Sequence, residues 1–79
     1  MDALNSWVVY SRPGCELCQT FMVELAELLG SRADRVRVVD VDENDEIARK
    51  YGERIPVLTI DDEFVCAYRL DRTRVERYL

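Results

Sequence analysis

The hydrophobic pattern of the first 41 residues changes period twice, which limits the folds open to the chain. Residues 7–10 (WVVY) are β-branched or aromatic and stop at a loop with Pro13 and Gly14, which predicts a short buried strand. Apolar residues then recur at helical spacing until Gly30, a typical helix stop. A second apolar run, residues 36–41, predicts a strand buried on both faces. Strand, helix and strand in this order imply a right-handed parallel crossover.

The helical stripe predicts that one face of this first helix is buried. Glu24 and Glu27 mark the opposite, solvated side. The residues predicted to face the core are Leu17, Phe21, Leu25 and Leu28, with Met22, Ala26 and Leu29 widening the stripe.

The second half of the chain predicts a short helix, a hairpin and a last helix. Asn44 can cap a helix that ends near Gly52. The runs VLTI (57–60) and FVCA (64–67) flank an acidic turn and predict two antiparallel strands. Asp71 is the predicted N-cap of the last helix. That helix is expected to turn Val75, Tyr78 and Leu79 inward and Arg72, Arg74 and Arg77 outward. Together these elements predict an α/β fold, a mixed four-stranded sheet flanked by three helices.

The length and net charge of the chain limit the expected number of domains, the partners and the location. With 79 residues the chain is too short for two cores, so one domain over residues 1–79 is expected. A formal net charge of -5 should repel phosphate backbones and anionic lipids, so neither nucleic acid nor a membrane is expected as a partner. No apolar run approaches the roughly 20 residues of a membrane helix, and MDALNSW lacks the features of a secretory signal. A cytoplasmic monomer is expected, although a chain that had lost its leader would look the same.

Cys15 and Cys18 form a Cys-x-x-Cys pair at the predicted start of the first helix. This spacing places both sulfurs on one side of the helix, near enough to close a disulfide. Cys15 should be exposed and should face unpaired N–H groups and the positive end of the helix dipole, which stabilise a thiolate. Cys18 should be buried and protonated, ready to attack once Cys15 has joined a substrate sulfur. The pair is therefore predicted to be catalytic.

Two other interpretations of this cysteine pair stay open. The two residues could be buried small side chains that happen to lie three positions apart, or zinc ligands with Cys66 as a third sulfur. The chain has no histidine, the usual partner of cysteine at mixed zinc sites, so no metal is expected. Cys66 itself is expected in the core of the fourth strand, with regulatory oxidation or a third redox role as alternatives.

Residues 10–18 (YSRPGCELC) resemble the active-site segment of glutaredoxins and glutaredoxin-like redoxins, and the predicted element order is that of their thioredoxin fold. The resemblance covers nearly the whole chain. It implies a thiol-disulfide oxidoreductase that reduces protein or glutathione mixed disulfides through its dithiol. It also implies no bound cofactor, glutathione as a co-substrate, and a reductase or glutathione as electron donor.

The same resemblance assigns a role to Ile55 and Pro56, which begin the predicted third strand. Glutaredoxins and thioredoxins carry a cis-proline here, beside the redox pair. The residue before it offers its backbone to the bound peptide like an added strand. By this resemblance Ile55 and Pro56 bind substrate. An ordinary trans proline that opens an edge strand is the alternative.

Two departures from the family concern glutathione and the nucleophile. Glutathione-binding relatives usually carry paired glycines after the last strand, where this chain has Cys66 and Ala67, so weak glutathione binding is expected. Asp71 could receive the glutathione amine, as an equivalent residue does in the family. Glu16 stands where glutaredoxins commonly have proline, and its charge disfavours a neighbouring thiolate while Arg12 favours it. The cations near the motifs that could meet the glutathione carboxylates are Arg12, Arg54 and Arg69.

Two rival functions remain beside the enzyme. One is a non-catalytic thioredoxin-fold binding module that docks a partner on the Ile55-Pro56 edge while its cysteines stay idle. The other is a cysteine-ligated metal or cluster carrier, as some glutaredoxins are. The second cysteine of the pair and the missing glycines count against the carrier.

Overall fold

The computed structural model describes residues 6–79, which form four strands and three α-helices. The strands are β1 (Trp7–Ser11), β2 (Val36–Asp40), β3 (Val57–Ile60) and β4 (Glu63–Ala67), and the helices are α1 (Glu16–Leu29), α2 (Asp45–Tyr51) and α3 (Arg72–Glu76). Two short 3-10 segments, Gly30–Arg35 and Val41–Glu43, flank β2. The predicted α/β architecture, a mixed four-stranded sheet with three helices, is confirmed.

The four strands lie in the order β2-β1-β3-β4. β1 runs parallel to β2 and antiparallel to β3, and β4 runs antiparallel to β3. Because Ser11 pairs with Asp40, Tyr10 with Val57, and Val57 with Ala67, four connecting segments meet at one edge of the sheet. We call this the loop edge; across the sheet it consists of residues 40–43, 11–15, 54–56 and 68–71.

The main core lies between the sheet and helices α1 and α3. Alternate residues of each strand point to the same face, so Val9 and Leu58 meet the buried side of α1. Cys66 belongs to this core, as predicted, and is 5% exposed. The buried members of the cluster are Trp7, Val9, Phe21, Leu25, Leu29, Leu58, Ile60, Val65, Cys66 and Val75.

The predictions of helix termini at Gly30, Asn44 and Asp71 are confirmed, because each rests on hydrogen bonds within one turn. Gly30 ends α1 with φ 60 and ψ -125, a conformation that glycine adopts without steric cost. The Asn44 side chain accepts two N–H groups from the first turn of α2. The Asp71 side chain accepts the N–H of Arg74 and caps α3.

Several predictions of burial were wrong. β2 is one of the two outer strands of the sheet rather than a strand buried on both faces, and Val38 is 52% exposed. The fully buried cluster draws on the other three strands and leaves β2 at its margin. Leu17 is 46% exposed on the first turn of α1. Tyr78 and Leu79 are also exposed, because α3 ends at Glu76 and its buried face does not extend to them.

Candidate functional site

The cysteine pair lies at the loop edge, where the chain turns from β1 into α1. Gly14 has φ 80, which lets the chain make this turn. Cys15 is the N-cap of α1, and its Sγ accepts a hydrogen bond of 3.1 Å from the backbone N–H of Cys18. A backbone N–H at a helix N-terminus stabilises a thiolate over a thiol. Both cysteines are free thiols.

The environments of the two cysteines differ as predicted. Cys15 is partly exposed, whereas Cys18 is 4% exposed. Burial raises the pKa of Cys18 from 9.0 to about 11, and a hydrogen bond with the Cys15 side chain acts in the same direction. Cys18 is therefore a protonated thiol at neutral pH, held behind its partly exposed neighbour.

Arg12 is held by an acidic residue that sequence reasoning did not single out. Its Nε and Nη2 donate hydrogen bonds of 2.8 and 3.0 Å to the two carboxylate oxygens of Asp42. The hydrogen bond from Arg12 lowers the pKa of Asp42. The parallel crossover was the available indication, since it carries the end of β2 to the loop edge.

The Ile55–Pro56 peptide bond is cis and lies at the loop edge. Since Tyr10 pairs with Val57, Pro56 comes next to the end of β1 and close to the loop that holds Cys15. No hydrogen bond to another described residue uses the Ile55 backbone, which leaves its N–H and C=O open.

The turn after β4 differs from the one expected. Cys66 and Ala67 lie within β4, because the strand keeps pairing with β3 through Ala67. The residues that follow the strand are Tyr68 and Arg69. Tyr68 has φ 70, a left-handed conformation that is unfavourable for residues with a side chain. The Arg69 N–H donates to the Ala67 carbonyl at 2.8 Å and closes a tight turn. The side chain that stands just after the last strand is therefore that of Tyr68.

Tyr68 ties this turn to the segment before β3 by two hydrogen bonds. Its N–H donates to the Pro56 carbonyl at 2.9 Å, and its hydroxyl donates to the Glu53 carbonyl at 3.3 Å. The ring remains 51% exposed. Tyr68 thus links the turn after β4 to the segment that contains Ile55.

Asp71 caps α3 and lies beside the same turn. Its Oδ1 accepts the Arg74 N–H at 3.2 Å, and its Oδ2 lies 3.4 Å from Arg74 Nε. The backbone of Asp71 also contacts the Cys66 thiol, but burial outweighs this contact and raises the pKa of Cys66. Asp71 therefore stabilises the helix, and it also lines the groove described next.

Three grooves surround the loop edge. A groove of about 380 Å³ opens beside the cysteine pair. A second, which we call the basic groove, is lined by Arg54, Phe64, Cys66, Ala67, Tyr68, Arg69, Asp71 and Arg74. A third and more apolar groove is lined by Leu17, Thr20, Phe21, Glu24, Tyr68, Arg69 and Leu70. Tyr68 and Arg69 line both of the last two grooves and form a ridge between them.

The described residues contain neither a cluster of metal ligands nor a membrane-spanning helix. Within residues 6–79, no three or more Cys, Asp or Glu side chains are grouped so that they could hold a metal ion. Cys66 lines the basic groove and not the groove beside Cys15 and Cys18. None of the helices described is long and apolar enough to cross a membrane.

Comparisons with known proteins agree with this arrangement. Residues 7–79 match the family described as Glutaredoxin-like domain (DUF836). Protein Ne2328 from Nitrosomonas europaea is 32% identical with a TM-score of 0.86, over 100% of this chain and 95% of that one. Protein SA0789 from Staphylococcus aureus is 19% identical with a TM-score of 0.64, over 94% and 86%. A malarial protein is 16% identical with a TM-score of 0.62, over 96% and 93%. The last two share the fold alone, and none of the curated proteins matches the chain.

Proposed function

The chain belongs to the glutaredoxin-like domain family and is a redox-type protein with a thioredoxin-like fold, and we propose that it is a thiol-disulfide oxidoreductase. In this proposal Cys15 and Cys18 reduce protein disulfides or glutathione mixed disulfides. The observation that carries the proposal is the position of Cys15, whose Sγ accepts the Cys18 N–H at the head of α1. No resident cofactor is required, because the electrons come from the dithiol itself.

The first step is an attack by the Cys15 thiolate on one sulfur of the substrate disulfide. A bond forms between Cys15 Sγ and that sulfur, the substrate S–S bond breaks, and the second substrate sulfur leaves as a thiolate that takes a proton from water. The partly exposed position of Cys15 gives the substrate access to it.

The second step is resolution of the mixed disulfide by Cys18. Once Cys15 is bonded to substrate, its contribution to the raised pKa of Cys18 disappears, and burial is the one influence that still raises it. Cys18 then loses its proton more readily and attacks Cys15 Sγ, and the substrate sulfur leaves. The substrate has gained two electrons and two protons, and the chain holds a Cys15–Cys18 disulfide. A reductase or glutathione returns the two electrons.

The remaining residues of the site position the substrate in this proposal. The open backbone of Ile55 pairs with an extended segment of the substrate, and Pro56 holds that backbone beside Cys15. Arg12 contributes positive charge near the nucleophile, and Asp71 meets an amine or N–H of the ligand. The enzyme works as a monomer in the cytoplasm, where thiols are kept reduced.

We expect glutathione to be a poor ligand because of Tyr68. Glutathione-binding relatives have glycine after the last strand, where the peptide backbone approaches closely. The Tyr68 ring occupies that place and is tethered to Glu53. Protein disulfides, which present longer segments to Ile55, are accordingly the favoured substrates. Titration calorimetry of the Cys18→Ser variant, with glutathione as the ligand, measures this binding directly.

Two variants in a Cys66→Ser background test the proposed function. Cys15→Ser should abolish exchange with a disulfide-linked peptide, because Cys18 is buried. Cys18→Ser should attack once and then accumulate a mixed disulfide, visible by mass spectrometry after acid quenching. Full activity in Cys15→Ser, or no mixed disulfide in Cys18→Ser, would contradict the assigned roles. If the variant with both cysteines replaced still binds its partners, the protein is a binding module instead.

A further inference from the structure

Resting on the proposed function, we propose that the loop edge selects protein disulfides that lie next to an acidic segment. In this inference the guanidinium groups of Arg54 and Arg69 bind the carboxylates of that segment. The occupant of the basic groove is therefore part of the substrate protein.

Charge is divided unevenly along the loop edge. Within residues 40–46, beside the outer strand β2, the chain carries five acidic side chains and no basic one. At the opposite end, around the turn after β4, basic side chains predominate. Those near this turn are Arg54, Arg69, Arg72 and Arg74, with Glu53 and Asp71 as the acidic residues. Cys15 lies between the acidic end and the basic end, so a charged substrate is attracted to one end and repelled by the other.

Two arginines, Arg12 at the loop edge and Arg74 in α3, are already used by the fold. Arg12 is held by both oxygens of Asp42. Arg74 donates to the carbonyl of Val65 at 3.0 Å and lies near the Asp71 carboxylate. Arg74 thus donates to a carbonyl of the edge strand β4 and pairs with the residue that caps its own helix.

Arg54 and Arg69 differ, because neither forms an ion pair with any residue in the described range 6–79. Both side chains are exposed, and both line the basic groove together with Tyr68. A free guanidinium presents donors in a planar fork that matches a carboxylate. The fold therefore leaves two carboxylate-binding groups on the β4 side of the redox pair.

The register of the sheet sets how far the carboxylate lies from the substrate cysteine. Pro56 lies one residue beyond the Tyr10–Val57 pair, on the side of the loop edge, and the Tyr68 N–H donates to the Pro56 carbonyl. The turn at Tyr68 is thus two strand spacings from the end of β1, roughly 10 Å at about 4.8 Å per strand. An extended peptide rises about 3.3 Å per residue. The preferred acidic residue is therefore about three positions from the substrate cysteine.

The test uses peptides in which one cysteine forms a disulfide with nitrothiobenzoate. Attack by Cys15 on the peptide sulfur forms the Cys15–peptide disulfide and releases the coloured thiolate, so each exchange is counted by absorbance. Three peptides carry Glu, Gln or Lys about three residues from the cysteine. They are compared on the full chain and on its Arg54→Gln, Arg69→Gln and Arg72→Gln variants. Arg72 is the matched control, since it is exposed on α3 and does not line the groove.

The Glu peptide should react about five-fold faster than the Gln peptide, as expected for a partly exposed ion pair, and the Lys peptide should be slowest. The ratio of Glu to Gln rates should fall towards one in Arg54→Gln and Arg69→Gln but persist in Arg72→Gln. Added salt should reduce it in the full chain, because exposed charges are screened.

Equal rates for all three peptides on the full chain would overturn this inference and leave the proposed function intact. A Glu preference that persists in both groove variants would also overturn it. The mixed disulfide of glutathione with nitrothiobenzoate is assayed beside the peptides, and dependence on Arg54 or Arg69 seen only with that substrate would identify glutathione, rather than a protein, as the carboxylate source. If no peptide releases the coloured thiolate although Cys15 still reacts with iodoacetamide, the proposed function is contradicted.

Discussion

The guanidinium of Arg12 donates hydrogen bonds of 2.8 and 3.0 Å to the two carboxylate oxygens of Asp42, which lies thirty positions away in the chain. This bridge joins the loop before Cys15 to the segment after β2. Interaction with the Cys15 thiolate is among the smaller influences that raise the pKa of Arg12, after the contact with Asp42. The pair therefore holds the Arg12 charge near the nucleophile, where the Asp42 carboxylate opposes its effect.

We predict that Asp42→Asn speeds alkylation of Cys15 at neutral pH. The change removes a negative charge from the bridge while leaving Arg12 in place, so the thiolate becomes more favourable. Arg12→Gln should slow the same reaction. The rate with iodoacetamide is measured in a Cys18→Ser, Cys66→Ser background at low and high salt. Asp45→Asn changes the net charge equally but lies in α2, and an equal effect there would show that only the overall charge matters.

Resolution by Cys18 should accelerate steeply with pH. The raised pKa means that Cys18 is protonated at neutral pH, and below that pKa its thiolate fraction rises about tenfold per pH unit. In a Cys66→Ser background, Cys15 is first joined to a coloured thiol, and release of that thiol is followed between about pH 6 and 9. A release rate that does not change with pH would show that deprotonation of Cys18 is not limiting.

Replacing Thr59 by Val should stabilise the fold. Thr59 is 1% exposed in β3, and its Oγ1 has no hydrogen-bond partner in the described part of the chain. An unsatisfied buried hydroxyl costs about 1–3 kcal/mol, so Thr59→Val should raise the free energy of unfolding by about 1 kcal/mol. Urea denaturation measures the change. Thr59→Ser keeps the hydroxyl, loses a methyl group and should destabilise; a destabilising Val variant would instead reveal a partner for Oγ1.

Matched alanine variants in β1 and β2 should separate the core from the sheet margin. Val9 is 0% exposed and Val38 is 52% exposed. Val9→Ala should lower the free energy of unfolding by about 2 kcal/mol, because it leaves a cavity. Val38→Ala should change it by less than about 0.5 kcal/mol. Similar losses in the two variants would mean that β2 is covered in solution.

Features that depend on a few neighbouring residues could be predicted from the sequence. Gly30, Asn44 and Asp71 end or cap helices through bonds within one turn. Cys15 and Cys18 lie where their spacing and the preceding loop placed them, one partly exposed and one buried. Local hydrogen bonding and hydrophobic period decide such features, and both can be read along the chain.

Tertiary structure alone decided the features that join distant segments. The four valines near β2 look equally suited to a buried and to an outer strand, and only the order of strands leaves Val38 exposed. The Arg12–Asp42 bridge exists because the parallel crossover brings the end of β2 beside the cysteine loop. Tyr68, in a left-handed conformation, bonds the segment before β3 through both its N–H and its hydroxyl. Each depends on which strands become neighbours, and that is settled by the packing of the whole chain rather than by any local pattern.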